Sequence, residues 1–344
     1  KALMQSIASR IATELKVREH QVTAAIQLLD EGATVPFISR YRKEVTGGLD
    51  DTQMRNLEER LNYIRELEDR RKSILSSIEE QGKLTAELKQ AINLADTKTR
   101  LEDLYLPYKV KRRTKGQIAI EAGLEPLADK LYGDPTQDPE KTAAAFVNRE
   151  LGVADSKAAL DGAKFILMER FSEDAELLGR LRQFMFDEAN ITATLVSGKD
   201  KEPGKEQAAA KFKDYFEHSE PLNTAPSHRA LAMFRARREG FISIKVDLIL
   251  ENDQGHPCES MIARQVNIEN LGRAADDWLG EVVRWTWRIK LHTHLETDLL
   301  GSLRERADLD AINVFSINLK DLILAAPAGQ KATIGLNPGL RTGV

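Results

Sequence analysis

One cysteine, Cys258, occurs in the 344 residues, which excludes an intrachain disulfide and any zinc site built on cysteine pairs. Long apolar runs are also missing: none approaches the ~18–20 residues with which a helix crosses a bilayer. The opening Lys1-Ala2-Leu3-Met4-Gln5 lacks the apolar core of a signal peptide. These absences set the expectation of a cytoplasmic protein with no membrane partner. Proline and glycine, at 11 and 21 residues, are too few for a low-complexity chain. A surplus of positive charge is absent as well. At a net charge of −4 the surface as a whole does not attract polyanions, so nucleic acid must be met by local basic clusters. Catalytic signatures are scarce too. No glycine-rich phosphate loop, His-Glu-x-x-His motif or nucleophile elbow occurs, and the acids are scattered over helical faces without marking a pair. No cofactor and no small-molecule substrate are expected.

What is present reads as a folded, mainly α protein. Apolar residues make up 42% and charged residues 30% of 38.6 kDa, room for two or three domains. Met54, Leu57, Leu61, Ile64, Leu67, Ile74 and Ile78 recur at helical spacing, after an Asp50/Gln53 capping box and before Gly82. That predicts a helix of about thirty residues, roughly 43 Å long and able to act as a strut. Glu66/Arg70 and Glu68/Lys72 stand four apart on it in the favourable order. Shorter helices are predicted over 6–15, 20–29, 85–94, 99–106 (with Thr99/Glu102 as a second capping box), 126–131, 138–150, 156–171 and 173–194. The charged stretch 198–207, with Pro203 and Gly204 inside it, reads as a linker. Beyond it Ile242, Ile244, Val246, Leu248 and Leu250 alternate with Ser243, Lys245 and Asp247, the one clean strand pattern. Helices are predicted again over 275–300 and 308–325. The expected fold is a multi-helix scaffold with a long central helix and minor β. Its expected regions are a helical 1–198, a second helical 199–326 with a short β element, and 327–344.

Between Asp103 and Glu121 the sequence holds five cations and no acid: Lys109, Lys111, Arg112, Arg113 and Lys115. The segment follows Pro107 and closes at Gly116, which reads as a loop, with Tyr105 and Tyr108 beside it. Cations on a loop reach phosphates with few geometric demands, and neighbouring rings can stack bases. An ordinary solvated turn, or pairing with acids on adjacent helices, is the competing explanation. Arg40, Arg42 and Lys43 form a second cluster, between short helices in a helix-turn-helix-like unit that Gly47 and Gly48 close. Here Glu44, Asp50 and Asp51 favour salt bridges at the base of the long helix as the competing role. Arg235, Arg237 and Arg238 precede Gly240, where cations complement a helix C-terminus as readily as they meet phosphate. His292 and His294 are two apart on a helix and point in different directions, so no metal site is expected there. Trp285 and Trp287, spaced the same way, are expected to make different core contacts.

Residues 332–344 read as a short buried strand feeding a tight turn, with no sheet partner after it, so the chain is expected to be part of a longer protein. The segment Ile334-Gly335-Leu336-Asn337-Pro338-Gly339 resembles the first strand of RNase H-like, resolvase-type domains. In that family an aspartate at the strand's end holds a divalent metal. Asn337 stands in its place, and a neutral amide is the weaker ligand, so no catalytic residue is assigned. Taken together, Leu29-Asp-Glu-Gly-Ala-Thr-Val-Pro-Phe-Ile-Ser-Arg-Tyr-Arg-Lys-Glu44, Leu101-Glu-Asp-Leu-Tyr-Leu-Pro-Tyr-Lys109 and Pro226-Ser-His-Arg-Ala-Leu-Ala-Met-Phe-Arg235 resemble the bacterial Tex family of transcription accessory proteins. So does Asn337-Pro-Gly-Leu-Arg-Thr-Gly343, apart from the Asn, and the resemblance spans essentially the whole chain.

The resemblance implies a mostly helical, Spt6-like layout: an N-terminal helical region with a helix-turn-helix part, an RNase H-like domain, helix-hairpin-helix modules and a C-terminal S1 domain. It implies a non-enzymatic scaffold whose full-length form binds RNA or DNA, without sequence preference, through the S1 and hairpin modules, which these residues do not include. The contacts available here are then Lys109, Lys111, Arg112, Arg113 and Lys115 first, and Arg40, Arg42 and Lys43 second. RNA polymerase or ribosome-associated proteins are the implied protein partners. A metal-dependent nuclease in the full-length protein, and a module that binds only proteins, stay open as alternatives.

Overall fold

The computed structural model describes residues 6–109, 113–201, 204, 206–250, 255–327, 329–332 and 334. Three short helices come first: α1 (Ile7–Leu15), α2 (Glu19–Asp30) and α3 (Val35–Tyr41). They pack on α4 (Asp51–Glu80), the long helix that the apolar stripe predicts. Its capping box forms as expected. Asp50 Oδ1 accepts from the Gln53 N–H at 2.7 Å, and Gln53 Oε1 accepts from the Asp50 N–H at 3.0 Å. All seven stripe residues are buried, and so is Arg71, which fills the break between Leu67 and Ile74.

The stripe serves two clusters. Met54, Leu57, Leu61 and Ile64 pack with Ile11, Val22 and Ile38. Leu67, Ile74 and Ile78 pack with Ile92 of α5 (Ala86–Leu94) and Leu101 of α6 (Lys98–Tyr105). Arg71 joins the second cluster. Its Nη1 donates to the carbonyls of Ile92 and Asn93 at 3.1 and 2.7 Å, and its Nη2 to that of Ala95 at 2.7 Å. These are carbonyls at the end of α5, where intrahelical donors run out.

The i,i+4 pairs expected on α4 do not form. Arg70 reaches Glu102 on α6 instead, Nε to Oε1 at 2.6 Å, and Glu66 pairs with Lys98. A neighbouring helix offers partners that an isolated helix lacks. The second capping box does not form: Thr97 rather than Thr99 caps α6, its Oγ1 accepting from the Arg100 N–H at 3.1 Å, with no acid at Arg100's position to return the bond. Further on, α7 (Lys115–Glu121), α8 (Glu125–Gly133) and α9 (Pro139–Ala144) pack on α10 (Ser156–Ser172). The residues up to Gly179, with Ile268–Val282, form one compact unit; Arg180–Asn267 and the residues from Val283 onward form another.

The helix expected over 173–194 ends early. After α11 (Ala175–Glu188), residues Asn190–Leu195 form strand β1. It is followed by α12 (Glu206–Ala210), β2 (Glu217–Pro221), α13 (Ser227–Arg238) and β3 (Ile242–Asp247). β1 is the centre of a three-stranded antiparallel sheet of order β2-β1-β3, with Ile191 opposite both Glu220 and Val246. Thr192 and Thr194 suit a strand, and two partners settle the matter. β2 carries no strand signature, because only Glu220 along it is buried. β3 matches the alternating pattern from Ile242 to Asp247, whereas Leu248 and Leu250, which continue that pattern in the sequence, lie beyond the strand. Next come α14 (Pro257–Gln265), α15 (Asp276–Trp285), a π turn at Thr286–Leu291 and α16 (His292–Ile323). The break expected between 300 and 308 is absent, since Leu299, Leu303 and Ala307 continue the buried stripe of α16. The outer edge of β3 is covered from α16: the Val246 N–H donates to Glu296 Oε1 at 2.9 Å, and His292 Nε2 donates to the Val246 carbonyl at 3.1 Å. Beyond Ala307 the helix is exposed, apolar side chains included, with Phe315 at 66% and Leu322 at 74%.

Among the described residues no helix is long and apolar enough to cross a membrane. The terminal strand expected from 332 onward, with Asn337, falls largely outside the described residues.

Arg71→Ala is expected to lower the unfolding free energy by about 3 kcal/mol, because three carbonyls lose their donor in a dry interior. Arg65→Ala, which removes an exposed pair with Asp30, should cost less than about 1 kcal/mol. Denaturant titration followed by circular dichroism compares the two, and equal losses would contradict the role given to Arg71.

Candidate nucleic-acid interface

The core-facing side of α3 is taken by Val35 and Ile38, which lie in one cluster with Leu49, Met54 and Leu57. Its other side is left to Phe37, Arg40 and Tyr41, all exposed. The chain then turns tightly. Arg42 accepts at its carbonyl from the Val45 N–H at 3.1 Å, and the Lys43 carbonyl accepts from the Gly48 N–H at 2.8 Å and from Thr46 Oγ1 at 3.1 Å. Gly47 and Gly48 take φ of 63° and 92°, a region that side chains disfavour. Gln21 Nε2 ties Gly47 down from α2, donating to its carbonyl at 2.8 Å. Arg42 and Lys43 thus ride on a fixed backbone.

The expected salt bridges at this turn are not made. Asp50 is occupied as a helix cap and Asp51 binds Arg55 at 2.7 Å. Among the described residues Arg40, Arg42 and Lys43 have no ion-pair partner, and all three are exposed. The guanidinium of Arg42 lies 5.8 Å above the Phe37 ring. Phe37 and Tyr41 face each other one turn apart, centroids 5.5 Å and planes tilted by 46°.

Around 109–115 the arrangement departs from the expected acid-free loop. Lys111 and Arg112 lie outside the described residues. Lys109 is exposed at the end of the turn Leu106–Tyr108. Arg113 donates from Nε to Glu121 Oε2 at 3.0 Å, since α7 brings that acid back over it. Lys115 is not in a loop: it opens α7, with Nζ 4.8 Å over the ring of Phe165. A cation at a helix N-terminus opposes the helix dipole, and Glu169 of α10 offsets it. Glu169 Oε2 accepts from Thr114 Oγ1 at 2.8 Å and Oε1 from the Gly116 N–H at 3.4 Å. Lys109, Arg113 and Arg170 line a cleft of about 410 Å³, but Glu125, Glu169 and Glu173 line it too. Nor are the flanking rings free to stack. Tyr105 bonds Ser77 at 3.1 Å, and both Tyr105 and Tyr108 pack on the second core cluster.

Most of the remaining candidates have structural occupations. Arg235 binds Glu239 at 2.8 Å, Arg237 lies over Phe234, and Arg238 is exposed. His292 covers the β3 edge, 3.0 Å from Asp247, whereas His294 faces Asp298 at 3.5 Å. Among the described residues no group of three or more His, Cys, Asp or Glu could hold a metal. Trp287 is buried and donates from Nε1 to His256 Nε2 at 3.1 Å. Burial holds His256 below the usual histidine range. Burial, with Glu259 beside it, pushes the Cys258 thiol up to about 12. Beside the α3 cations stand Phe37 and Tyr41, which charge alone does not mark; their signal in the sequence is two aromatics four apart, flanking Arg40 and next to Arg42.

Two family profiles match the chain, one described as Tex-like protein N-terminal domain over residues 5–79 and one as Tex central region-like over residues 134–315. Protein YhgF of Escherichia coli is 59% identical over 97% of this chain and 43% of its own length. The transcriptional accessory protein Tex of Neisseria gonorrhoeae is 52% identical, again over 97% of this chain and 43% of its own. A more distant relative, the S1 RNA-binding domain-containing protein 1 of Pongo abelii, is 24% identical over 93% of this chain and 32% of its own. The chain spans less than half the length of the relatives it matches.

Gly116→Ala tests the Glu169 bracket. The added Cβ would meet Glu169 Oε2 at 2.5 Å and the Phe165 carbonyl at 3.1 Å, so a loss of about 1–3 kcal/mol is expected. Gly133→Ala, with nothing within 4 Å of the new carbon, should be neutral or stabilise by about 0.5 kcal/mol. Thermal unfolding of the pair checks the difference.

Proposed function

This chain belongs to the Tex family, and from that premise we propose that it is a non-catalytic scaffold that binds nucleic acid through its phosphates. The α3 turn carries the reading: three exposed cations on a fixed backbone, without a carboxylate partner among the described residues. Between Glu31 and Asp50 they face a single acid, Glu44. Phosphates that replace their counterions would bind them without regard to base sequence. Lys109 and Arg113 supply the second contact, with Lys111, Arg112 and Lys115 beside them. Relatives named for transcription and for RNA binding support the same class of partner. In a full-length protein the S1 and helix-hairpin-helix modules would supply the stronger hold, with this part adding salt-sensitive contacts.

Support for a non-catalytic part comes from the occupations of its reactive groups. The Cys258 thiol stays protonated at neutral pH, His256 accepts a tryptophan hydrogen bond, and His292 covers a strand edge. Asn337 stands where the resolvase-type aspartate is expected. A second reading, docking of polymerase or ribosome-associated proteins, draws on the exposed apolar side chains Ile312, Phe315 and Leu322 of α16.

Changing Arg40, Arg42 and Lys43 together to Ala should weaken binding to duplex and single strand alike, and flatten the slope of log affinity against log salt by about 2–3. Glu121→Gln, which releases Arg113, should tighten binding modestly and steepen that slope. Fluorescence anisotropy at two salt concentrations reads both. Unchanged affinity and slope in the triple variant would refute the assignment.

A further inference from the structure

We propose that Phe37 and Tyr41 form a stacking platform for the bases of single-stranded nucleic acid, with Arg40, Arg42 and Lys43 gripping the adjoining phosphates. The inference rests on the nucleic-acid reading above and names the form of nucleic acid taken. Three observations lead to it. First, the rings are not spare core. The buried side of α3 is complete with Val35 and Ile38, yet Phe37 is 43% exposed, Tyr41 62% and Val45, just past them, 49%. Second, the rings do not cover each other. At 5.5 Å and 46° they are tilted rather than stacked, and Arg42 lies over Phe37 alone, which leaves Tyr41 the more open face. Third, the only charges interleaved with them are Arg40, Arg42, Lys43 and Glu44, a net positive set that complements a polyanion.

The same residues argue against reading of duplex base edges. A recognition helix presents polar side chains from its N-terminal turn to the major groove. The first turn of α3 is Val35-Pro36-Phe37-Ile38, which offers no side-chain donor or acceptor. Rings can engage only bases whose faces are open, and in a duplex those faces are buried. Neither ring stacking nor phosphate pairing touches the sugar, so RNA and DNA single strands should bind alike. The neighbouring groove of about 460 Å³ between α2, α3 and α4 adds no free cation, because Arg65 is held by Asp30 and Arg55 by Asp51.

The test uses the whole chain and fluorescence anisotropy with four probes: an oligouridylate, a thymidine oligonucleotide, an abasic deoxyribose-phosphate strand of equal length, and a duplex. Phe37→Leu with Tyr41→Leu keeps exposed apolar bulk on a helix while removing both rings. This variant is expected to weaken both base-bearing single strands about tenfold, leaving the abasic strand, the duplex and the salt slope unchanged. If the ring variant binds as the parent does while the triple Ala variant at Arg40, Arg42 and Lys43 loses affinity, contact is with phosphate only. Stacking is then overturned and the function stands. If neither variant changes binding, or the parent binds no probe, this surface is not the site and both readings fail here. Equal competition by polyglutamate at matched charge would make the platform a dock for acidic protein and would also overturn it. Matching denaturation midpoints confirm that the variants fold.

Discussion

Arg71 occupies the one break in the apolar stripe of α4, and the organisation of the first unit follows from how that break is filled. A buried guanidinium is costly unless its donors are met. Here two of its nitrogens donate to three carbonyls at the end of α5, and Glu68 lies 3.3 Å away. The long helix is thereby tied to α5 within a stretch where apolar packing alone would leave a polar helix end unsatisfied. On one side of Arg71 the stripe gathers α1, α2 and α3; with the residues from Leu67 to Ile78 it gathers α5 and α6. One helix serves two cores because its apolar face outlasts any single neighbour.

That arrangement decides which charges remain free. Several cations along α4 and α6 find acids on the facing helix, as Arg70 finds Glu102 and Lys98 finds Glu66. The cationic segment after Tyr108 meets the same fate in part. Its acid-free appearance is a property of the sequence order, and α7 and α10 restore Glu121 and Glu169 in space. At the α3 turn the nearest acids are already spent on capping α4 and on Arg55, and Arg40, Arg42 and Lys43 stay without an ion pair among the described residues.

The sequence made α4 and β3 legible because each repeats one period for long enough: 3.6 residues over the stripe, two residues from Ile242 to Val246. It did not show β1 or β2. The helical pattern of α11 runs on to Ala189, and Asn190–Leu195 becomes a strand where two partners pair with it. β2 is polar and owes its state wholly to β1. The intrahelical pairs predicted on α4 failed for a related reason, since spacing describes one helix and ignores the next. Gly116 looked like the end of a loop. It is instead the point where a side-chain atom would collide with Glu169. The cations of the candidate site were visible by composition. The rings among them were visible only once the buried side of α3 had been settled, because aromatic residues four apart read equally well as core.

A net charge of −4 opposes a polyanion only within the range over which charges are felt. At physiological salt an exposed charge is largely screened beyond about 8 Å. The acids that make the total negative are spread over both units, many within ion pairs that already cancel locally. A phosphate at the α3 turn therefore responds chiefly to the charges within that range, among them Arg40, Arg42, Lys43 and Glu44, three cations against one carboxylate. Such a patch is too small to steer a ligand from afar, and its attraction weakens steeply with salt. Stacking on a ring does not weaken in that way. A surface that joins both interactions keeps some hold on single strands under conditions where the phosphate contacts alone would let go.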